Sequence, residues 1–361
     1  MGTLRAGAAR SCITPALGTH LVGFFHDRQA ETVGDDLFAK AVVLENGAAS
    51  VALVVCDLIA LRREDLGRAR ERAADLTGIS VENIFISCTH THYGPATIPA
   101  FNTPREQGYV DWAMERVGDA VKLAQDDLRP AWFAASAAAC EEEVHNRRWH
   151  MTDGTVQMNP GYRNPEALRP AGPVDPEIGF QAFVDEQCDP IAVVANYPLH
   201  YVGGPQQRAI SPDYFGAFDF ALQRMADAPF VALMLNGCCG DINNLDFTGA
   251  PPQHPGPYFQ VCRVADVVAS RVYGAWRMLR DYRDDCVLGA VSQGFLFRRR
   301  QSSREELQAA REKRAGEEAF DDREWVYAGE LLEVEKEPVE QRSVIQGVRV
   351  GETGLVGLPG E

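Results

Sequence analysis

The sequence lacks several features that assign a chain to a particular class of protein. Its nine cysteines include no CxxC pair, so we expect reduced thiols in a cytoplasmic protein rather than a disulfide framework. The first residues contain no apolar core of signal-peptide length, and no run of about 18 apolar residues occurs. These two absences predict neither a secretion signal nor a transmembrane segment. There is also no internal repeat.

An excess of positive charge is missing as well. The chain has 35 Lys and Arg against 51 Asp and Glu, a net charge of −16, which argues against nucleic acids and anionic membrane surfaces as partners. An apolar content of 45 % and a charged content of 24 % are ordinary for a soluble globular protein. The composition leaves the oligomeric state open.

The length and the terminal residues together set our expectation for the domains. A chain of 361 residues has ample material for a large core, and we expect one catalytic α/β domain over residues 1–361. Residues 354–358 form an apolar strand that runs into a turn, and the sequence stops inside that turn. We therefore expect the domain to be truncated at its C-terminus.

Hydrophobic patterning predicts strands that alternate with helices. Two apolar runs, 36–44 and 50–55, flank an Asn46-Gly47 turn, which is the commonest hairpin signal. Helical spacing follows over 62–76 and leads into the apolar run 84–86, so this passage has a β-α-β order.

Further helices are predicted in the rest of the chain. Residues 109–128 have helical periodicity, and the apolar face is expected to carry Trp112, Val117, Ala120 and Leu123. Helices are also expected over 214–225 and 258–279. Residues 302–340 are rich in charge and predict a solvated helix.

Two histidines follow the buried strand at 84–86. His90 and His92 are separated by one residue and precede the turn at Tyr93-Gly94-Pro95. In an extended chain, side chains two residues apart point to the same face, so the pair suits a metal or acid–base site. A pair of surface histidines near a turn is the alternative.

Four apolar strands in all are followed by a residue that can bind a metal or transfer a proton. They are 84–86 before His90 and His92, 191–194 before His200, 230–235 before Asp241, and 355–358 before Glu361; 51–55 before Asp57 is a possible fifth. Ligand sites in α/β proteins collect beyond the carboxyl ends of strands, and histidines with a carboxylate and an open position are typical of catalytic zinc.

Each of these residues also has a purely structural interpretation. His200 can be a core histidine with a satisfied ring, and Asp241 can cap a turn, as can Asn243. Arg147 can pair with the neighbouring glutamates, and Asp57 can cap the next helix. The functional interpretation depends on all of them occurring in one chain.

A long irregular stretch separates the two halves of the sequence. Residues 145–179 are rich in Pro, Gly and Asn, and they also contain Trp149, Tyr162 and several arginines. Ordered loops of this length are usually lids or binding walls. We expect a substrate-side loop, with disorder as the alternative.

The chain resembles the neutral/alkaline non-lysosomal ceramidases, as a divergent bacterial-type member. The motifs occur in the same order along essentially the whole chain, and the block at 89–95 together with the terminal one is fairly specific. They are Ile13-Thr14-Pro15, Thr89-His-Thr-His-Tyr-Gly-Pro95, Asn146-Arg147, the strand ending in His200, Gly240-Asp241-Ile242-Asn243, and Pro359-Gly360-Glu361.

The resemblance implies a zinc amidohydrolase that splits an N-acyl amide, as ceramidases split ceramide into sphingosine and a fatty acid. Carried over residue by residue, it makes His90, His200 and Glu361 ligands of Zn²⁺. It places His92 at the substrate or reacting oxygen, and Arg147 in the pocket wall.

The sequence departs from the family pattern in three places. Asn243 stands where the ceramidases carry a serine important for catalysis. A further tyrosine ligand lies beyond Glu361 in the family, and we expect this chain to lack both that tyrosine and the family's C-terminal immunoglobulin-like domain. Since an amide cannot act as a nucleophile at neutral pH, we expect direct attack by water, with Asp241 orienting a ligand or that water.

Taken together, the sequence predicts an α/β metal-hydrolase domain with a mixed sheet, helices packed on the sheets, and a site at the carboxyl ends of strands. The expected enzyme is a zinc-dependent amidohydrolase, and its partner is a small-molecule or lipid-like substrate. Two alternatives remain: a hydrolase of a polar amide or glycoside that uses the same site, and a catalytically silent binding protein that retains the scaffold.

Overall fold

The computed structural model describes residues 3–204, 206–316 and 322–360. In chain order, its strands are β1 (Arg5–Cys12), β2 (His20–Leu21), β3 (Arg28–Gln29), β4 (Thr32–Val33), β5 (Phe38–Glu45), β6 (Ser50–Cys56), β7 (Ile84–Cys88), β8 (Arg129–Pro130), β9 (Trp132–Ala139), β10 (His145–Asn146), β11 (Arg148–Met151), β12 (Val156–Met158), β13 (Ala167–Pro170), β14 (Glu177–Val184), β15 (Pro190–Tyr197), β16 (Ala209–Ile210), β17 (Val231–Asn236), β18 (Ile242–Asn243), β19 (Leu288–Arg298), β20 (Glu340–Val350) and β21 (Thr353–Gly357). The α-helices are α1 (Arg63–Thr77), α2 (Gln107–Asp126), α3 (Asp213–Ala226), α4 (Phe259–Trp276), α5 (Arg304–Ala315) and α6 (Arg323–Val334), and short 3₁₀ helices cover Val81–Asn83 and Glu141–Glu143.

Two mixed sheets form the centre of the molecule. The first sheet has the order β7-β6-β5-β1-β8, and the second has the order β17-β15-β14-β9. Each contains one parallel pair, β6 with β7 and β15 with β17, while their other neighbours are antiparallel. The parallel pairs need crossover connections, which α1 and α3 supply.

Buried apolar residues arrange these elements in four layers. One core cluster joins α1 and α2 to the first sheet, for example Ala69 and Val117 with Val54. A second lies between the two sheets and includes Leu53 and Leu233. The third joins the second sheet to α3 and α4. Because each sheet buries both faces, its inner strands are apolar at successive positions rather than at alternate ones.

The predicted hairpin is confirmed. Leu44 pairs with Val51 and Glu45 with Ser50 in the β5–β6 register. The Asn46 side-chain oxygen accepts hydrogen bonds from the main-chain N–H groups of Ala48 and Ala49 at 3.0 and 2.9 Å. Gly47 adopts φ +75°, a conformation that glycine enters without steric cost.

Only two of the four residues predicted for the apolar face of α2 are buried. Val117 and Ala120 are fully buried, whereas Trp112 is 43 % exposed and Leu123 is 47 % exposed. The helix covers the first sheet with mostly small side chains and packs against α1. The two large residues therefore lie at the edge of the contact surface rather than inside it.

The stretch 145–179 is less irregular than its composition predicts. Strands β11, β12 and β13 form a small antiparallel sheet in the order β12-β11-β13, and β10 pairs with β18. Trp149 and Met151 pack against Phe247 in a separate apolar cluster. The burial of these side chains orders a segment that its Pro and Gly content alone would predict to be irregular.

The charge-rich stretch 302–340 also differs from the prediction of one helix. It contains two helices, α5 and α6, which pack on each other. Residue 340 already belongs to β20, which forms a third sheet with β19 and β21. Ser303 starts α5 with a reciprocal capping box to Glu306.

The architecture confirms an α/β fold with mixed sheets. All nine cysteines lie in the described ranges, and no disulfide bond joins any two of them. Within those same ranges, no helix combines the length and apolar character that crossing a bilayer requires.

Candidate metal centre

The carboxyl ends of the two parallel strand pairs meet at one edge of the molecule. His90 and His92 follow β7, and His200 follows β15. A hydrogen bond of 3.1 Å from the Asn236 side-chain amide, at the end of β17, to the Thr89 carbonyl ties the second sheet to the first. Residues far apart in sequence thus collect where two different sheets end, as the sequence predicts.

Three histidines converge at this edge. One nitrogen each from His90, His92 and His200 lies within 4.8 Å of the other two, and no further group of this kind occurs among residues 3–204, 206–316 and 322–360. The rings stand at 72–80° to each other, with centroids 4.8–5.1 Å apart. His200 is buried, and the other two rings are partly exposed.

His90 reaches this position through a turn rather than an extended chain. Its φ of +68° is in the left-handed region, and its main-chain N–H donates to the Leu58 carbonyl at 2.9 Å. The extended-chain argument for the His90–His92 pair was therefore wrong in its geometry, although the two rings do lie together. The turn begins directly after β7 ends at Cys88.

The tautomer of His90 follows from its hydrogen bond. Nδ1 lies 2.9 Å from the Ile59 carbonyl oxygen, and because a carbonyl only accepts, Nδ1 carries the proton and Nε2 carries the lone pair. Metal-binding histidines usually donate their second ring N–H to a carbonyl or carboxylate. This hydrogen bond leaves Nε2 as the His90 nitrogen that could bind a metal ion.

His92 and His200 point their Nε2 atoms at each other. The two nitrogens are 3.1 Å apart, and Nη1 of Arg147 lies 3.5 Å from Nε2 of His200. Nitrogens bound to one tetrahedral zinc ion lie about 3.3 Å apart, and imidazole suits zinc and the neighbouring transition metals. The three side chains could hold such an ion.

Arg147 is held by the Gly240–Asn243 motif. Its Nε donates to the Gly240 carbonyl at 3.1 Å, and its main-chain N–H donates to the Asp241 carbonyl at 2.7 Å. The Asp241 carboxylate accepts a bond of 2.7 Å from the Asn146 side-chain amide. The structure thus places Arg147 beside the histidines. Asp241 supports Arg147 through its main-chain carbonyl, and its side chain bonds to the neighbouring Asn146 rather than to a histidine.

Asn243 uses its amide within the protein. Its Nδ2 donates to the Asn159 side-chain oxygen at 2.9 Å, and its Oδ1 accepts from the Leu245 N–H at 2.9 Å. The residue is fully buried. The bond to Asn159 anchors the stretch 145–179 to strand β18.

Asp57, the possible fifth strand-end residue of the sequence analysis, is not part of the histidine group. Glu361 falls outside the described residues. Asp57 is buried after β6 and accepts a bond of 2.9 Å from the Phe38 N–H; α1 starts without a side-chain cap, so Asp57 does not cap it. Burial raises the pKa of Asp57 to about 6, with Lys40 acting in the opposite direction.

Sequence reasoning missed two charged residues that contact His92. Arg28 Nη2 donates to the His92 carbonyl at 2.7 Å, and the Asp213 carboxylate accepts from the His92 N–H at 3.2 Å. Burial lowers the pKa of Arg28 to about 10 and raises that of Asp213 to about 7. The only sequence signals were a polar cluster at 26–28 and a helix start at 211–213.

The fold and the site together define an α/β protein of two facing sheets with a candidate metal centre of three histidines. No protein-family model matches the chain, and no curated protein matches it.

The solved structures that match this chain include neutral ceramidase from Pseudomonas aeruginosa, with a TM-score of 0.75 and 17 % identity, and a ceramidase complexed with C2, with a TM-score of 0.72 and 16 % identity. Each match covers 99 % of this chain. The chain covers 62 % and 64 % of those two chains, so it spans about three fifths of their length. The predicted resemblance is confirmed at the level of the fold: the described architecture is that of the neutral ceramidases.

Proposed function

We propose that the protein is a zinc-dependent hydrolase of ceramidase type that cleaves an N-acyl amide bond with water. The observation that carries this proposal is the convergence of His90, His92 and His200 beside Arg147. The ceramidase fold supports the class of reaction, and a cluster of histidines without cysteine suits a catalytic rather than a structural zinc site.

The proposed ligands are His90, His200 and Glu361. A bound zinc ion would supply Lewis acidity, which lowers the pKa of a coordinated water to about 7 and polarises a carbonyl group. The Ile59 carbonyl keeps His90 in the tautomer that exposes Nε2. His92 either completes the ligand set or moves protons, because its Nε2 lies beside that of His200.

The remaining roles follow from the contacts of the wall residues. Water adds to the amide carbon and gives a proton to His92, the C–N bond breaks, and the amine leaves with the proton that His92 returns to its nitrogen. Arg147 is placed to hold the developing oxyanion, since a guanidinium donates hydrogen bonds and is always charged. Asn243 takes no part as a nucleophile because both ends of its amide are hydrogen-bonded within the protein.

We also propose that residues 1–361 act as one catalytic domain and that 145–179 forms its substrate side. The support is that this stretch carries Arg147, which reaches His200. Arg148 and Arg169 of the same stretch are exposed, which favours a polar amide or glycoside as the second candidate substrate.

The test is metal content and hydrolysis in matched histidine variants. We expect about one zinc ion per chain in the wild type, and loss of most of that zinc in His90→Ala and His200→Ala, because each removes a ligand. His254→Ala is the control, since His254 is exposed and contacts Phe259. Elemental analysis of the folded proteins measures the difference.

Hydrolysis then separates the candidates. N-acyl sphingoid amides, polar amides and glycosides are offered to the zinc-loaded protein. Cleavage of the first class alone supports the proposal, and cleavage of the polar substrates supports the second candidate. Zinc binding without turnover of any substrate indicates a binding protein, and equal zinc in wild type and His90→Ala refutes the site.

A further inference from the structure

The position of His92 is not set by a strand or a helix. Strand β7 ends at Cys88, and the chain passes through the left-handed residue His90 before reaching His92. The His92 ring nevertheless lies 3.1 Å, nitrogen to nitrogen, from His200, which follows a strand of the other sheet. Contacts from outside this turn must therefore hold the His92 main chain.

Two buried charged side chains make those contacts. Arg28 donates from Nη2 to the His92 carbonyl at 2.7 Å. On the other side, the Asp213 carboxylate oxygen Oδ2 accepts from the His92 N–H at 3.2 Å and from the Thr91 hydroxyl at 2.8 Å. Hydrogen bonds with one charged partner are stronger than neutral ones. The bond from Arg28 is of this kind, and so is the bond to Asp213 when its carboxyl group is ionised, so both polar groups of the His92 main chain are held.

The two side chains are almost completely shielded from solvent. Arg28 is 2 % exposed and Asp213 is 1 % exposed, and the guanidinium carbon of Arg28 lies 3.6 Å from the centroid of the Phe24 ring. A buried charge costs free energy unless it is well paired, and replacing such groups by apolar ones is often neutral or stabilising. Stability alone is therefore a poor explanation for this pair.

The surrounding main chain adopts unfavourable or crowded geometry at the same place. Asp213, the first residue of α3, has φ +53°. This is the left-handed backbone region, which residues other than glycine seldom adopt. A Cβ on Gly204 would lie 2.6 Å from Asp213 Oδ1 and 2.2 Å from the Tyr93 ring. Such local strain clusters at functional sites.

We propose that Arg28 and Asp213 form a clamp on the main chain of His92 that sets the position of its ring in the metal centre. This inference rests on the proposed function. Both are positioning residues, because they act through His92 and touch no reacting atom. The clamp joins the segments 22–28, 89–95 and 206–213, and so couples the ends of both sheets.

The test measures metal affinity in four clamp variants. Asp213→Ala and Arg28→Met remove these bonds, and we expect the affinity for Zn²⁺ or Co²⁺ to fall by about 10- to 100-fold, because His92 belongs to the histidine group that could hold the ion. Asp213→Asn keeps an acceptor of similar shape, and Arg28→Lys keeps a charged donor, so partial rescue is expected in both. Competition with a chromophoric chelator gives the affinity, and the visible spectrum of bound Co²⁺ reports the ligand geometry.

Asp219→Ala is the control for a general effect of losing a buried acid. Asp219 is 1 % exposed, is paired with Lys40 and Arg10, and belongs to α3 like Asp213. Its loss should lower stability and leave metal affinity within about twofold. The clamp is refuted if Asp213→Ala and Asp219→Ala reduce the metal affinity of the folded protein equally.

A metal-free measurement separates this inference from the proposed function. The imidazole ¹⁵N resonances of His92 report its hydrogen bonding in the apo protein, and they should shift in Asp213→Asn and Arg28→Lys, which are the variants best able to fold. If the wild type binds no metal, the proposed function fails, while unchanged His92 resonances in both variants refute the clamp whatever the metal result.

Discussion

Gly23 lies against His92 with no room for a side chain. A Cβ at this position would be 2.7–2.9 Å from three atoms of His92, and Gly23 has φ +112°. A substituent there must push the histidine away or distort its own loop, since contacts under 3.0 Å between such atoms do not persist. The glycine therefore fixes how closely the loop before Arg28 approaches the metal centre.

We predict that Gly23→Ala lowers metal affinity by at least about tenfold, because it displaces a proposed metal-site residue. Overpacking should also reduce the free energy of unfolding by about 1–3 kcal/mol. Metal titration and urea denaturation measure the two effects.

Gly18→Ala is the matched control for that substitution. Gly18 also has a positive φ, +88°, but an added Cβ would meet no atom within 4 Å. It should cost about 1 kcal/mol through backbone strain and leave metal affinity unchanged. Equal loss of metal in both variants would contradict the steric explanation.

At the scale of elements, burial along α2 differs sharply between residues of similar size. Met114 is 2 % exposed and packs in the cluster between the helices and the first sheet, whereas Leu123 on the same helix is 47 % exposed. Periodicity placed Leu123 on the buried face, but α2 contacts α1 and the first sheet over a surface of small residues. How far that surface extends around α2 depends on the packing of the neighbouring elements, which periodicity does not reveal.

We predict that Met114→Ala reduces the free energy of unfolding by about 2–5 kcal/mol, the usual range for a buried large-to-alanine change. Leu123→Ala should cost less than about 1 kcal/mol, since surface substitutions have small effects. Urea denaturation of both variants gives the comparison, and a cost for Leu123→Ala that equals that of Met114→Ala would show that the α2 surface is covered in solution.

The stretch 145–179 is a second region whose secondary structure could not be predicted from local composition. Its strands depend on partners elsewhere in the chain. Strand β10 pairs with β18, and the Asn243 side-chain amide donates a hydrogen bond to the Asn159 side chain. Trp149 is buried against Phe247, which follows β18. Because these contacts are nonlocal, Pro and Gly content alone suggested an irregular loop.

At the scale of the whole molecule, a buried ionic network joins the first sheet to helix α3, which packs on the second sheet. Lys40 of the first sheet lies 3.4 Å from the Asp219 carboxylate of α3, and Arg10 lies 3.3 Å from the same carboxylate. Asp57 is buried near this network: its pKa, raised to about 6 chiefly by burial, is lowered by Lys40 and Arg10 and raised by Asp219. Ionising Asp57 in the folded state is therefore unfavourable.

We predict a pH-dependent difference in stability between the wild type and Asp57→Asn. The folded pKa of Asp57, about 6, lies above the ordinary value of 3.8, so the folded state binds this proton more tightly and is favoured at low pH. This contribution is complete below pH 4 and is lost as the pH rises through 6, and it amounts to about 3 kcal/mol.

Denaturation at several pH values checks this expectation. The free energy of unfolding of the wild type, minus that of Asp57→Asn, should fall between pH 4 and pH 8. A difference that stays constant over that range would mean that Asp57 titrates at its ordinary pKa in the folded protein.

The sequence by itself determined the α/β class, the β5–β6 hairpin, most helices, and the strand-end positions of His90 and His200. These features are local: periodicity over one element, a turn dipeptide, and a polar residue after an apolar run. The order of the motifs was also sufficient to indicate the ceramidase fold, which is confirmed by structural likeness at 16–17 % identity.

Only the tertiary structure decided which strand-end residues meet. His90, His92 and His200 come together because strands of two different sheets end at one edge, while Asp57 of the neighbouring strand enters a separate buried network. Arg28 and Asp213 could not be assigned from the sequence, because their role depends on the position of the His92 main chain. Local patterns encode strands and turns, but contacts between side chains separated by more than a hundred residues depend on how the two sheets pack.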